Sequence, residues 1–397
     1  MKKYSKKINQ IKSKFGKFNS TEIENVMNVL DSSTNIDYVK KLEKLFCRVF
    51  KVKYSIACNS GTSGLHSALA SLDLKKNDEV IVPGLTVVMD AYAAIHAGAK
   101  PVFADVDEET YLITAENIKK KITKKTKAII VVSLQGLSVD IDPIMKLAKK
   151  NKLYVIEDNA QDMLGKYKGK MAGTNGDIGI WSFENKKHLS GATEGGIIST
   201  NNKKLATKIR KFAGIGYKNM TATGGRTSLS ISKVQDPNYE RFDTIGLNYR
   251  MSQIVAAVCY AQLKNAKKIV RRRKRVAEYF RNAIKNSKSL IEQLKPKGRD
   301  HTHYTFSARY FEKKNFKWKD LYNSYKSKTG HGFYGACVCP HLEPSIRSQL
   351  KTSKGTLPVS EKIQKQIIQF KTNYRDLREA KKNANVLKKI LEKIDRQ

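Results

Sequence analysis

Three short stretches of the chain carry residue types that could act together on a small molecule. The first is Asn59-Ser-Gly-Thr-Ser-Gly64, where a strand-like run gives way to a helical one. Backbone N–H groups at a helix N-terminus, with small residues in front, form an anion site. Gly61 lets the backbone approach a ligand closely, and Ser60 and Thr62 add hydroxyl donors. The same residue types also serve as plain helix caps. The second stretch, Tyr154-Val-Ile-Glu-Asp-Asn-Ala-Gln161, places Glu157 and Asp158 at the end of an apolar strand. A carboxylate there can pair with a protonated ring nitrogen, bind a metal, or cap a following helix. The third is Trp181-Ser-Phe-Glu-Asn-Lys-Lys-His188. A lysine just past a strand can be a point charge for a phosphate. It is a nucleophilic amine when burial and neighbouring positive charge lower its pKa. In a chain with 76 Lys and Arg residues, two adjacent lysines are also read as solvated surface.

Together the stretches describe more than any one alone. An anion cradle, a strand-end Asp and a strand-end Lys make a pocket for pyridoxal phosphate. The lysine forms the Schiff base, and the aspartate keeps the pyridine nitrogen protonated so that the ring can accept electrons.

Such a pocket needs a scaffold that brings strand ends together. Apolar, β-branched runs at 79–84, 101–106, 127–134, 152–158, 177–183 and 195–200 read as strands. Helical periodicity at 63–72, 88–98, 114–122 and 142–151 lies between several of them. This alternation predicts an α/β fold with a mostly parallel sheet flanked by helices. In such sheets ligands bind outside the carboxyl ends of the strands. A long helical pattern from Ser252 to Asn286 leads away from this unit. We therefore divide the chain into a large domain, 1–264, and a smaller C-terminal α+β domain, 265–397. The stretch 219–243 reads as a long loop, suited to a lid or an insertion.

Composition narrows the function classes. The formal charge is +40, mostly from lysines scattered over all 397 residues. Without a zinc finger, RNP motif or basic zipper, it does not indicate specific nucleic-acid binding. It suits attraction of phosphate-bearing substrates. The run Val270-Arg-Arg-Arg-Lys-Arg-Val276 reads as the solvated face of a helix. No apolar run is long enough for a membrane span. The basic N-terminus has no apolar stretch behind it, and the five cysteines lack framework spacing. These features predict a cytoplasmic protein. Cys337, Cys339 and His341 have metal-like spacing, but with no second cluster we expect no metal site. His301 and His303 are expected to be structural, and Glu194 to fix a turn.

The order of these stretches resembles the DegT/DnrJ/StrS family of sugar-nucleotide aminotransferases, of PLP fold type I. The likeness is carried by Asn59–Leu69, "NDEVIVPGLT", "AGAKPVFADVDEET", "YVIEDNAQ", "WSFENKKHLSGATEGG" and "GLNYRMSQIVAAVCYAQL". The family pattern counts four residues from Ser-Phe to the Schiff-base lysine, which lands on Lys187 and leaves Lys186 at a variable position. The resemblance implies that Ser60, Gly61, Thr62 and Ser182 meet the cofactor phosphate. It implies that Asp158 pairs with the pyridine nitrogen and Gln161 with the ring hydroxyl. Asn248 corresponds to a residue that crosses to the phosphate of a neighbouring subunit, which implies a homodimer with shared sites. Val87 stands where members usually stack an aromatic residue on the ring. Ser133 and Gln135 stand where His and Tyr are common.

The activity implied is ping-pong transamination through an internal aldimine. Glutamate or glutamine would be the donor and a nucleotide-linked 3- or 4-keto sugar the acceptor. A cyclitol ketone is an alternative acceptor. A dehydratase of the same fold would need histidine in place of the lysine, and His188 is one residue off the count. A non-catalytic polyanion-binding protein is the reading from a different class.

Overall fold

The computed structural model describes residues 18–224, 230–335 and 339–396. The basic N-terminus and Cys337 lie outside the described residues.

Every run expected as a strand enters one seven-stranded sheet. Its strands are β1 (Tyr54–Cys58), β2 (Glu79–Pro83), β3 (Lys100–Ala104), β4 (Thr126–Val132), β5 (Tyr154–Asp158), β8 (Ile178–Ser182) and β9 (Gly196–Thr200). A two-residue hairpin, β6 (Lys166–Tyr167) and β7 (Lys170–Met171), sits between β5 and β8. The order is β1-β9-β8-β5-β4-β2-β3. Only β9 runs against the others. The carboxyl ends of β1, β5 and β8 therefore share one edge, with the start of β9 between two of them. The central strands are covered on both faces, so they read as continuous Val/Ile runs rather than alternating ones.

Two packing devices hold the edge that matters. Helix Tyr38–Phe50 lays Phe46 and Phe50 against Trp181 of β8, with ring centroids 4.8 Å away in each case. Aromatic contacts of this kind anchor the strand just before its end. At β1, the buried Glu43 accepts both terminal nitrogens of Arg210 at 3.0 Å and the Ala57 N–H at 2.9 Å. The ion pair is bidentate and further hydrogen-bonded, the condition under which a buried pair is tolerated.

The pattern from Ser252 to Asn286 is two helices, Gln253–Lys264 and Ala266–Ile284, broken at Asn265. The first packs on Tyr38–Phe50 beneath the sheet. The second packs Val276, Phe280 and Ile284 into a separate core. One straight helix cannot serve both. That second core covers a three-stranded antiparallel sheet, β10 (Leu290–Glu292), β11 (Thr305–Tyr310) and β12 (Ile367–Lys371), together with helices Trp318–Thr329 and Leu377–Ile394. Residues 339–363 instead return to the large sheet, where Cys339, Ile346, Leu357 and Ile363 join its core. Among the described residues, no helix is long and apolar enough to cross a membrane.

Candidate active site

The cradle forms where β1 turns into helix Gly61–Ala70. Ser60 caps that helix: its Oγ accepts the Ser63 N–H at 3.1 Å. The first-turn amides of Gly61 and Thr62 have no carbonyl four residues back to bond. Gly61 lies against Ser182; a Cβ on it would stand 2.9 Å from Ser182 Cβ. Gly196 is equally close to the turn, since its Cβ would meet Ser60 O at 2.4 Å. Small residues from β1, β8 and β9 thus bring hydroxyls and amides to one spot. Thr62 is exposed there and Ser182 is buried.

Asp158 and Glu157 are neighbours in sequence but face opposite ways, as successive strand residues must. Glu157 Oε1 accepts the N–H groups of Asn175 and Gly176 at 2.7 and 2.6 Å, and Oε2 that of Gly173 at 2.8 Å. It is a loop anchor. Asp158 is buried, and no helix follows it; its Oδ1 accepts the Ala160 N–H at 2.8 Å. Burial raises its pKa, while that N–H, Lys187 and Asp90 favour its charged form.

Lys186 is exposed and Lys187 half-buried. The Lys187 ammonium stands 4.8 Å from the centre of the Tyr304 ring. Burial pushes its pKa down and Arg273 adds to that, against the pull of Asp158, Glu184 and Glu194. The side chain is covered enough to desolvate the amine and open enough for a ligand to reach it. Its backbone is held by Arg273, whose Nη2 donates to the carbonyls of Lys186 and Lys187 at 3.1 and 2.8 Å.

Val87 follows β2 at the same sheet edge and is 44% exposed. Gln161 is buried, and its Oε1 accepts the Gln135 N–H at 2.7 Å. Asn248 is exposed and accepts from Arg250 Nε at 2.9 Å. His188 is buried and turns to the Thr302 carbonyl at 3.0 Å. Burial holds it well below the usual histidine range, so it is a neutral donor there. His301 and His303 stack at 3.8 Å inside the structure. Among the described residues, no cluster of His, Cys, Asp and Glu could hold a metal. His341 instead bonds Glu361 at 3.0 Å.

Two important side chains were not legible beforehand. Arg273 belongs to the run read as solvated, and Arg271, Arg272 and Arg275 are indeed exposed, but Arg273 is buried. Its position three before Val276, on the apolar stripe, was the available signal. Tyr304 carried none beyond its type.

A protein-family model for the DegT/DnrJ/EryC1/StrS aminotransferase family matches residues 17–390. A GDP-perosamine synthase of Escherichia coli O157:H7 is 38% identical over 291 residues, which cover 72% of this chain and 74% of that protein. The solved aminotransferase from Psychrobacter cryohalolentis superposes with a TM-score of 0.86 at 27% identity, covering 96% of this chain and 99% of that one. An E. coli GDP-4-keto-6-deoxy-D-mannose-3-dehydratase, solved with hydrated PLP bound, shares the fold at a TM-score of 0.82 and 24% identity, covering 96% and 98%. With the family model spanning nearly all of the chain, and an α/β architecture whose strand ends bring Asp158 and Lys187 together, this protein belongs to the DegT/DnrJ/EryC1/StrS aminotransferase family.

Proposed function

We propose that this chain moves an amino group from a small amino acid, glutamate in the first instance, to a keto sugar carried on a nucleoside diphosphate, using pyridoxal 5'-phosphate. The GDP-perosamine synthase relative makes GDP the first carrier to test. The observation that carries the reading is the meeting, at one sheet edge, of buried Asp158 at the end of β5 with Lys187 just past the neighbouring β8.

The residues fit the cofactor. The cradle has no room for a Cβ at Gly61, and its first-turn amides suit a phosphate. Ser60, Thr62 and Ser182 supply hydroxyls there. Asp158 would pair with the ring nitrogen. Gln161 has its Oε1 engaged by Gln135, so its Nε2–H would be the group to meet the ring oxygen. Val87 would give the ring an aliphatic face. When bound, the cofactor supplies an electron sink for a carbanion at the donor's Cα. Lys187 Nζ would take the proton from that Cα, as the one amine at this edge, among the described residues, whose basicity burial lowers. Arg273 fixes the backbone from which Lys187 reaches. His188 is committed to Thr302, which leaves the base role to Lys187.

We also propose that Asn248, exposed in the single chain, completes the cradle of a second copy in a homodimer, that the chain divides near 264/265, and that it works in the cytoplasm. Purified protein should show a visible cofactor band that borohydride bleaches. Lys187→Ala should lack that band and Lys186→Ala should keep it. The reverse pattern would sink the assignment.

A further inference from the structure

Beside Asp158 stands a second buried carboxyl. Asp90 lies in the first turn of helix Met89–His96 and is fully covered. Its Oδ2 accepts the Thr86 hydroxyl at 2.6 Å. Its Oδ1 is also buried and has no hydrogen-bond partner among the described residues. The groups acting on it come from three elements: Thr86 before its own helix, Asp158 at the end of β5, and Lys187 after β8. Two carboxyls and one amine of lowered basicity therefore share a desolvated space. Like charges so placed do not both ionise cheaply, and a buried charge without a partner is costly. One proton on the pair answers both problems. It also gives the orphan Oδ1 something to do, because a protonated carboxyl is a donor.

The two carboxyls are not equivalent. Burial and the charge of Asp158 hold Asp90 well above the usual carboxylate range. Asp158 has the Ala160 N–H and Lys187 to favour its anion. The proton belongs on Asp90.

We propose that Asp90 is a positioning residue: it carries the one proton of the buried carboxyl pair and donates it to Asp158, holding that carboxylate as the anion that would meet the cofactor's ring nitrogen. The role toward the cofactor rests on the reading of this pocket given above; the carboxyl pair does not. A neutral donor orients Asp158 without competing for the ring nitrogen's charge.

The experiment has two arms. In the first, cofactor-free wild type, Asp90→Asn, Asp158→Asn and the double variant are melted from pH 4 to pH 8.5. A folded-state pKa raised above the unfolded value means that the unfolded chain releases its proton first, so wild type loses stability as pH rises from about 4. Asp90→Asn lacks that loss, so its melting temperature should climb relative to wild type with rising pH. The effect should shrink in the Asp158→Asn background, where the like charge is gone. A wild-type-to-Asp90→Asn difference that is flat with pH would overturn the proposal.

In the second arm the proteins are loaded with pyridoxal phosphate and dialysed. Asp90→Asn, still a neutral donor, should keep the visible band. Asp90→Leu, which donates nothing, should retain the cofactor about ten-fold less tightly, the worth of one hydrogen bond. Loss of the band in Asp90→Asn would mean that an anion is needed at 90, and equal retention in Asp90→Leu that no donor is needed; either overturns the assignment. A wild type without any band would instead overturn the cofactor reading, while the melts still decide whether Asp90 holds the proton.

Discussion

Replacing Gly61 by Ala would put a methyl carbon 2.9 Å from Ser182 Cβ and 3.3 Å from its Oγ. The first distance is at least about 0.6 Å inside an ordinary carbon contact. Rotation of the Ser182 side chain cannot relieve it, because a Cβ moves only with its backbone. Either β8 or the start of helix Gly61–Ala70 must shift, and overpacking of this kind costs about 1–3 kcal/mol. Alanine's better helix propensity, up to about 1 kcal/mol at interior positions, acts the other way and weakens toward the first turn. Gly61→Ala should therefore lose about 1–2 kcal/mol in cofactor-free protein. Ser182→Gly removes both close atoms, and the next one, Ser182 Cα, lies at 3.5 Å, an ordinary contact. The double variant should recover most of what Gly61→Ala loses, read as midpoint shifts in urea at constant slope. Cofactor retention should fall at least about ten-fold in Gly61→Ala, since one lost hydrogen bond to a charged group suffices. It should not recover in the double variant, which lacks the Ser182 hydroxyl. Stability effects that add to within about 0.5 kcal/mol would refute the reasoning, because distant, independent sites behave that way.

Arg273→Met keeps the bulk and removes the donors to Lys186, Lys187, Tyr304 and Thr372. We expect a loss of about 2–4 kcal/mol in urea unfolding, from the two lysine carbonyls stripped of a charged donor. With the guanidinium gone, the Lys187 pKa should rise, so the pH midpoint for cofactor uptake should move up. Asp162 is a separate titration: burial pushes it up to about 7, against hydrogen bonds from Thr302 and Ser138. Its proton is retained by the folded state and released by the unfolded chain from about pH 4. Stability should fall between about pH 4 and about pH 7 and level off above, and Asp162→Asn should flatten that slope in melts across the same range.

Much of the scaffold was legible because it depends on local periodicity. Apolar runs at 79–84, 127–134 and 152–158 announced strands that came out within two residues of their ends. Other features were hidden for identifiable reasons. Residues 252–286 read as one helix because both halves keep the 3.6-residue repeat. The break at Asn265 exists only because two cores lie in different directions. Arg273 and its exposed neighbours share one residue type, and a run of arginines does not say which member faces inward. The return of 339–363 to the large sheet had no marker, since its apolar residues would suit either core equally.

What the sequence determined by itself is a matter of order and spacing. It set the alternation that makes a parallel sheet and the small residues of 60–64 at one strand end. Those follow from steric limits that act within a few residues. Tertiary structure decided where each carboxylate goes: strand pleat turned Glu157 to the 173–176 loop and Asp158 toward Lys187 and Asp90. It also decided which charges are desolvated. Asp90, Asp158, Lys187 and Arg273 come from four separate elements, and only their packing removes water from all of them at once. Desolvation depends on everything that surrounds a group, and residues far apart in the chain supply most of that surrounding.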